Sequence, residues 1–162
     1  INKKDVFDFS RMMSLDSEKY IVQEYIDFDY ETTIDVFIAK ENKLIELCQR
    51  KRLKIRGGEV ERAITTKNKE INKTIKQIVE KTASFGVINI QIMTKENTYY
   101  IGEINPRFGG GFPLSYHSGA NMIEHIKKLV EKTEIKQYDD SRYENNFSML
   151  RFDDAIYTRD LK

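Results

Sequence analysis

Residues 99–119, YYIGEINPRFGGGFPLSYHSG, constrain this chain more than any other stretch. Tyr99, Tyr100 and Ile101 are strand formers, and Pro106 ends the run by removing a ladder donor. Alternate strand residues share a face, so Glu103 and Asn105 point the same way. A carboxylate beside an amide oxygen, followed by Arg107, offers hard oxygen ligands next to a fixed cation. That set suits Mg²⁺ and phosphate better than zinc or a covalent nucleophile. Gly109, Gly110 and Gly111 then allow a close approach to a ligand, or positive φ. Taken singly, Glu103 and Arg107 read as solvated rim residues; their order, acid–Asn–Pro–Arg before glycines, carries the information.

The clearest neighbouring strand is 87–94, where Ile88, Ile90 and Ile92 make one apolar face and Asn89, Gln91 and Met93 the other. A hairpin with a three-residue loop, tipped within residues 96–100, would set Gln91 opposite Glu103 and Asn89 opposite Asn105. A slip of one residue would set Gln91 against Gly102 and scatter the polar group. Four polar side chains on one covered face need partners. Bound Mg²⁺ and phosphate would supply them.

The rest of the chain supports an α+β arrangement. Residues 5–13 suggest a short helix, and 20–26 a strand entering a turn at 27–30. Residues 31–39 alternate, with Ile34, Val36 and Ile38 on one side and Glu31, Thr33 and Asp35 on the other. A turn at 41–43 leads to a strand over 44–55, and Arg56-Gly57-Gly58-Glu59 is a loop signal. Ile71, Ile75, Ile78 and Val79 mark an amphipathic helix within 68–84. Asn121 is an N-cap for a second helix with Ile123, Ile126, Leu129 and Val130 as its stripe. A polar linker over 135–146 precedes one or two strands within 147–157.

Composition narrows the function classes. Among 162 residues, 27 are basic and 26 acidic, so the net charge of +1 gives no nucleic-acid or membrane footprint. No apolar run is long enough to span a bilayer. One cysteine, Cys48, excludes an internal disulfide, and a cytoplasmic setting is expected. There is no GxxxxGK[ST] or GxGxxG loop, and the two histidines, His117 and His125, form no HExxH pair.

The ordered motifs resemble the ATP-grasp superfamily, in particular its carbamoyl-phosphate-synthetase large-subunit-like branch, over residues 22–120. The resemblance implies an ATP-grasp C-terminal lobe: a largely antiparallel sheet with helices packed on one face. Gln23-Glu24-Tyr25-Ile26 looks like the adenine hinge, with the backbone of Glu24 and Ile26 bonding the adenine edge. Glu31 matches the acid that takes the ribose hydroxyls, and Arg56 resembles a basic residue reaching toward the phosphates. Gln91, Glu103 and Asn105 match the metal ligands, and Arg107 the catalytic cation that neutralises phosphate.

The cofactors implied are ATP and Mg²⁺ (or Mn²⁺). The activity implied is ligation of a small carboxylate to an amine or ammonia through an acyl phosphate, with no nucleic-acid or membrane partner and a homodimer left open. The flexible glycine-rich loop and basic residues of a first nucleotide-clamping lobe are not found. Residues 1–162 are therefore expected to be a single partial ATP-grasp domain from a longer chain. The alternative reading is a non-catalytic nucleotide-binding or interaction module.

Overall fold

The computed structural model describes residues 19, 23–82, 85–136, 142–155, 157 and 159. The helix expected at 5–13 and the opening of the strand expected at 20–26 lie outside them. Residues 23–26 have no regular structure, so the strand expected there is not formed.

Three strands in chain order, β1 (Tyr30–Ala39), β2 (Lys43–Arg56) and β3 (Glu59–Thr66), are followed by α1 (Lys69–Lys81). A hairpin of β4 (Gly86–Lys95) and β5 (Thr98–Asn105) leads to α2 (Phe112–His117) and α3 (Met122–Glu131), and β6 (Ser148–Leu150) ends the sheet. The strand order is β5-β4-β1-β2-β3-β6, every pair antiparallel. The Gly57-Gly58 turn, with both residues at positive φ, joins β2 to β3. Among the described residues no helix is long and apolar enough to cross a membrane.

The α+β class and the antiparallel sheet are as expected. The helices differ from expectation, because they divide between the two faces. Ile71, Ile75 and Val79 of α1 pack on Ile34, Val36, Ile38, Leu47, Ile88, Ile90 and Ile92. On the opposite face Phe37 and Ile45 meet Phe112 and Met122, with Ile126 and Leu129 behind them. The cause is Phe37, which follows Glu31, Thr33 and Asp35 in the same file of β1, together with Ile45 at the β1–β2 register shift. Their burial requires a second layer. Strand β1 is consequently covered on both sides, from Thr32 to Ile38.

The β4–β5 register has two parts. At the tip a two-residue turn, Glu96-Asn97, sets Lys95 opposite Thr98 and Ile92 opposite Ile101. Continued, that register would place Gln91 against Gly102. A bulge at Gly102 instead moves the partner on by one, giving Gln91–Glu103 and Asn89–Asn105. The gathered polar set anticipated from the sequence is present, but through a tight turn plus a bulge rather than a three-residue loop.

Asn68 anchors α1. Its Oδ1 accepts from the Glu70 and Ile71 amides at 2.9 and 3.3 Å, and its Nδ2 donates to the Tyr99 hydroxyl at 2.9 Å. Buried Gln49 holds the Asn68 backbone at both ends, donating to its carbonyl and accepting from its amide. Losing both the cap and the Tyr99 bond should cost about 2 kcal/mol. Asn68→Ala is expected to lower the urea midpoint by about 1 M with an unchanged slope; no shift would mean that the cap is redundant.

Candidate functional site

The face of the sheet away from α1 is polar over much of its width, and its centre is Asp35. The carboxylate is fully buried and accepts four hydrogen bonds. Arg50 donates twice, Nε to Oδ2 at 2.7 Å and Nη2 to Oδ1 at 2.9 Å. Asn89 Nδ2 adds a third at 2.9 Å and Ser115 Oγ a fourth at 2.6 Å. Neighbouring strands β2 and β4 and the short helix α2 thus converge on one residue of β1. Burying this charge is tolerable because it is both paired and fully hydrogen-bonded.

Above this network lies a cleft of about 100 Å³, lined by Thr33, Arg50, Arg52, Gln91, Arg107 and the glycine run among others. Three of its side chains are arginines and one, Glu59, is acidic; with Arg50 paired to Asp35 and Arg52 to Glu31, Arg107 is the cation placed to meet an anion there. Gln91 and Arg107 line it directly. Glu103 stands opposite Gln91 across the ladder, and Asn105 opposite Asn89. Glu103 and Arg107 are exposed. The Asn105 Nδ2 is buried with no hydrogen-bond partner, an orphan that a phosphate oxygen would satisfy.

Gln91, Glu103 and Asn105 supply oxygen donors with one formal carboxylate among them. No cluster of three His, Cys, Asp or Glu residues exists among the described residues. That composition fits Mg²⁺ held partly by substrate phosphates and water, and does not fit a self-sufficient protein cage.

The glycine run departs from one expectation. None of its three residues has positive φ, and Gly111 sits at φ −92°, ψ 5°, open to any residue. Space is what demands glycine at 109 and 111, where the neighbours are buried; at 110 the neighbour is the end of the exposed Glu59 side chain. A Cβ at Gly109 would lie 2.6 Å from Asn89 Nδ2, one at Gly110 would collide with Glu59 Oε2, and one at Gly111 with Arg50 Nη1.

Other expected residues fall elsewhere. Glu31 lies on the polar face but is paired with Arg52 at 2.5 Å, and Arg52 also donates to the Gly58 carbonyl at 3.2 Å. Arg56 turns away from the cleft, donating to Asp153 at 2.6 and 2.7 Å and lying 3.5 Å from Glu61. That pairing raises the Arg56 pKa and lowers that of Asp153. Glu24 and Tyr25 are exposed and Ile26 is half-buried. The segment that carries them is tied to the β4–β5 tip by Asp29, whose amide donates to Thr94 and whose carboxylate accepts from Glu96.

Arg50 and Arg52, which do line the cleft, carry no motif. Their signal was available in the alternation of β2, which places both opposite the Glu31–Thr33–Asp35 side of β1.

A model of the family described as ATP-grasp in the biosynthetic pathway with Ter operon matches residues 16–151. The chain belongs to the ATP-grasp family. Solved structures with the same fold include the phosphoribosylaminoimidazole carboxylase ATPase subunit from Aquifex aeolicus, at 18% identity and TM-score 0.60, covering 74% of this chain and 40% of that one. A biotin carboxylase–β,γ-ATP complex from Campylobacter jejuni matches at 14% identity and TM-score 0.64, over 78% of this chain and 30% of that one. The biotin carboxylase domain dimer of Hydrogenobacter thermophilus 2-oxoglutarate carboxylase, in complex with MgADP, ADP and bicarbonate, matches at 16% and 0.60, with coverages of 78% and 30%. At these identities the likeness is one of fold. This ATP-grasp chain spans 30–40% of the length of those three chains. No curated protein matches it.

Two further groups sit beside the site without entering it. His125 lies 3.0 Å from Glu46 and 5.3 Å, ring to ring, from Phe37 beneath α3, a packed position. Cys48 is buried with its Sγ 3.8 Å from Ser118 Oγ. Burial, aided by the Asp35 charge, pushes its thiol from 9.0 up to about 12, against the opposing pull of Ser115, Ser118 and Arg50. The folded chain then holds a proton that the unfolded chain releases, so stability falls as pH rises from about 9 toward 12. Ellman's reagent at pH 8 should leave native Cys48 unmodified and titrate it fully in urea, and Cys48→Ala should flatten the alkaline stability loss. Rapid native labelling would contradict the burial.

Proposed function

We propose that this chain is the nucleotide- and metal-binding part of an ATP- and Mg²⁺-dependent carboxylate–amine (or ammonia) ligase of the carbamoyl-phosphate-synthetase-like kind. The observation that supports the reading is that Gln91 and Arg107 line one cleft while Glu103 and Asn105 pair across the ladder with Gln91 and Asn89. Family membership and the MgADP bound by a neighbour of the same fold support it.

In this reading Gln91, Glu103 and Asn105 hold Mg²⁺, which when bound offsets charge on the phosphates. Glu103, the one carboxylate of the set, would supply the charged ligand. Arg107 orients the transferring phosphoryl group and stabilises its charge. A substrate carboxylate oxygen attacks the γ-phosphorus and ADP leaves. The amine nitrogen then attacks the acyl carbon of the resulting acyl phosphate. A C–N bond forms, the C–O bond to phosphate breaks with its electron pair leaving on inorganic phosphate, and the nitrogen's proton passes to the departing phosphate or to water. No side-chain nucleophile is required, in keeping with a buried, protonated Cys48.

Residues 24–26 form the adenine edge of the proposed site, and the ribose reaches Glu31 by exchanging with its Arg52 partner. Arg56 takes part only if it leaves Asp153. A cytoplasmic setting, small carboxylate and amine substrates, and a homodimer belong to the same proposal.

Calorimetric titration with a non-hydrolysable ATP analogue, with and without Mg²⁺, tests it. The wild-type chain is expected to bind more tightly with Mg²⁺. Glu103→Gln should weaken the Mg²⁺-dependent binding at least ~10-fold, a loss of about 1.4 kcal/mol. Undiminished binding by Glu103→Gln would remove Glu103 from the metal site.

A further inference from the structure

We propose that Arg50, clamped by Asp35, is the positioning residue of the site: its guanidinium sets the seat of the glycine turn and thereby the placement of Asn105 and Arg107. The proposal rests on the nucleotide–metal reading above for its functional consequence, and on geometry alone for its structural one.

A buried ion pair is weak as a stabiliser, since apolar residues of the same volume often serve as well or better. What the Asp35–Arg50 pair supplies is direction. Two parallel bonds fix the guanidinium plane, with Nε and Nη2 both committed to Asp35. Nη1 is left beneath Gly111, close enough that no Cβ fits there. Nη2 lies 3.1 Å from where a Gly109 Cβ would be, beside Asn89 Nδ2. The turn therefore rests on a rigid polar floor made of Arg50 and Asn89, both bonded to the same carboxylate.

The turn is fixed at its two ends as well. At the strand end Asn105 pairs with Asn89, and its carbonyl accepts from the Arg107 amide at 2.9 Å. At the helix end the Gly109 and Gly111 carbonyls accept from Phe112 and Leu114 at 2.9 and 3.0 Å. One residue further on, Ser115 returns to Asp35. Arg107 projects from the span between these anchors, so its approach to the cleft follows the height of the turn. Arg50 is 1% exposed and acts through that backbone.

Arg50→Lys keeps the charge but loses the two-point grip, and its slimmer head leaves room above. Gly111→Ala lifts the same contact from the other side without touching Asp35. Amide hydrogen exchange in the full chain should show residues 105–112 opening at least ~10-fold faster in each variant, with α1 unchanged. Because one contact is broken twice, the double variant should exchange within about twofold of the faster single.

Half-saturating Mg²⁺ for ATP-analogue binding should rise about tenfold in each. Ser115→Ala, a milder cut in the same network, should move both readouts in the same direction and keeps the test open if Arg50→Lys fails to fold. Exchange that rises equally in α1 and in 105–112, or effects that add in the double variant, would overturn the proposal. If the wild-type chain bound no nucleotide, the ligase reading of this chain would fail, and the exchange measurements would still decide the positioning role.

Discussion

The polar half of this molecule depends on the bonds that converge on Asp35. A carboxylate with four donors from β2, β4 and α2 joins three elements that no apolar contact would hold at fixed angles. Breaking the Asp35–Arg50 pair from one side would strand a buried charge at a cost of order 3–5 kcal/mol. The apolar layers work differently. Ile34, Val36 and Ile38 with α1, and Phe37 with Phe112 and Met122, supply burial without fixing direction. Packing holds the sheet together, and the Asp35 network decides where its polar edge lies.

The same logic explains the composition of the cleft. Three arginines around so small a volume would repel one another in the absence of counter-charge, and the protein supplies it selectively. Arg50 has Asp35, and Arg52 has Glu31 at 2.5 Å. Arg107 is exposed, and its Nη1 donates to the Phe108 carbonyl at 3.1 Å. The cation that keeps its charge for a ligand is thus the exposed one next to Glu103 and Asn105. In the proposed site, a metal set with one carboxylate would leave the remaining positive charge to be met by phosphate, coupling metal and nucleotide binding.

Much of this was legible in the residues, for reasons of period. Strands 31–39 and 87–94 alternate cleanly, so β1 and β4 and their faces could be read directly. The pairing of Gln91 with Glu103 followed from requiring the polar residues to gather. The Gly102 bulge was not legible, because the tight Glu96-Asn97 turn favours one register and the side chains another, and only their conflict produces a bulge. Strand β3 was missed: EVERAITT alternates poorly, and the register shifts opposite it at Arg52 and Lys54 blur the pattern. Helix α2 is only six residues, below the length at which periodicity can be seen. Asp35 with Arg50, fifteen positions apart, shows no motif, and the three glycines read as a ligand loop although their nearest neighbours are Asn89, Glu59 and Arg50.

The central claim is that the face bearing Asp35 is where nucleotide and metal meet. Paramagnetic relaxation by Mn²⁺, added with a non-hydrolysable ATP analogue to the isotope-labelled chain, tests it most directly. The account predicts selective broadening of Gln91, Glu103 and Asn105 and of the glycine turn, with the α1 resonances sharp and with little broadening from Mn²⁺ alone. Broadening centred elsewhere, or equal broadening without nucleotide, would contradict it.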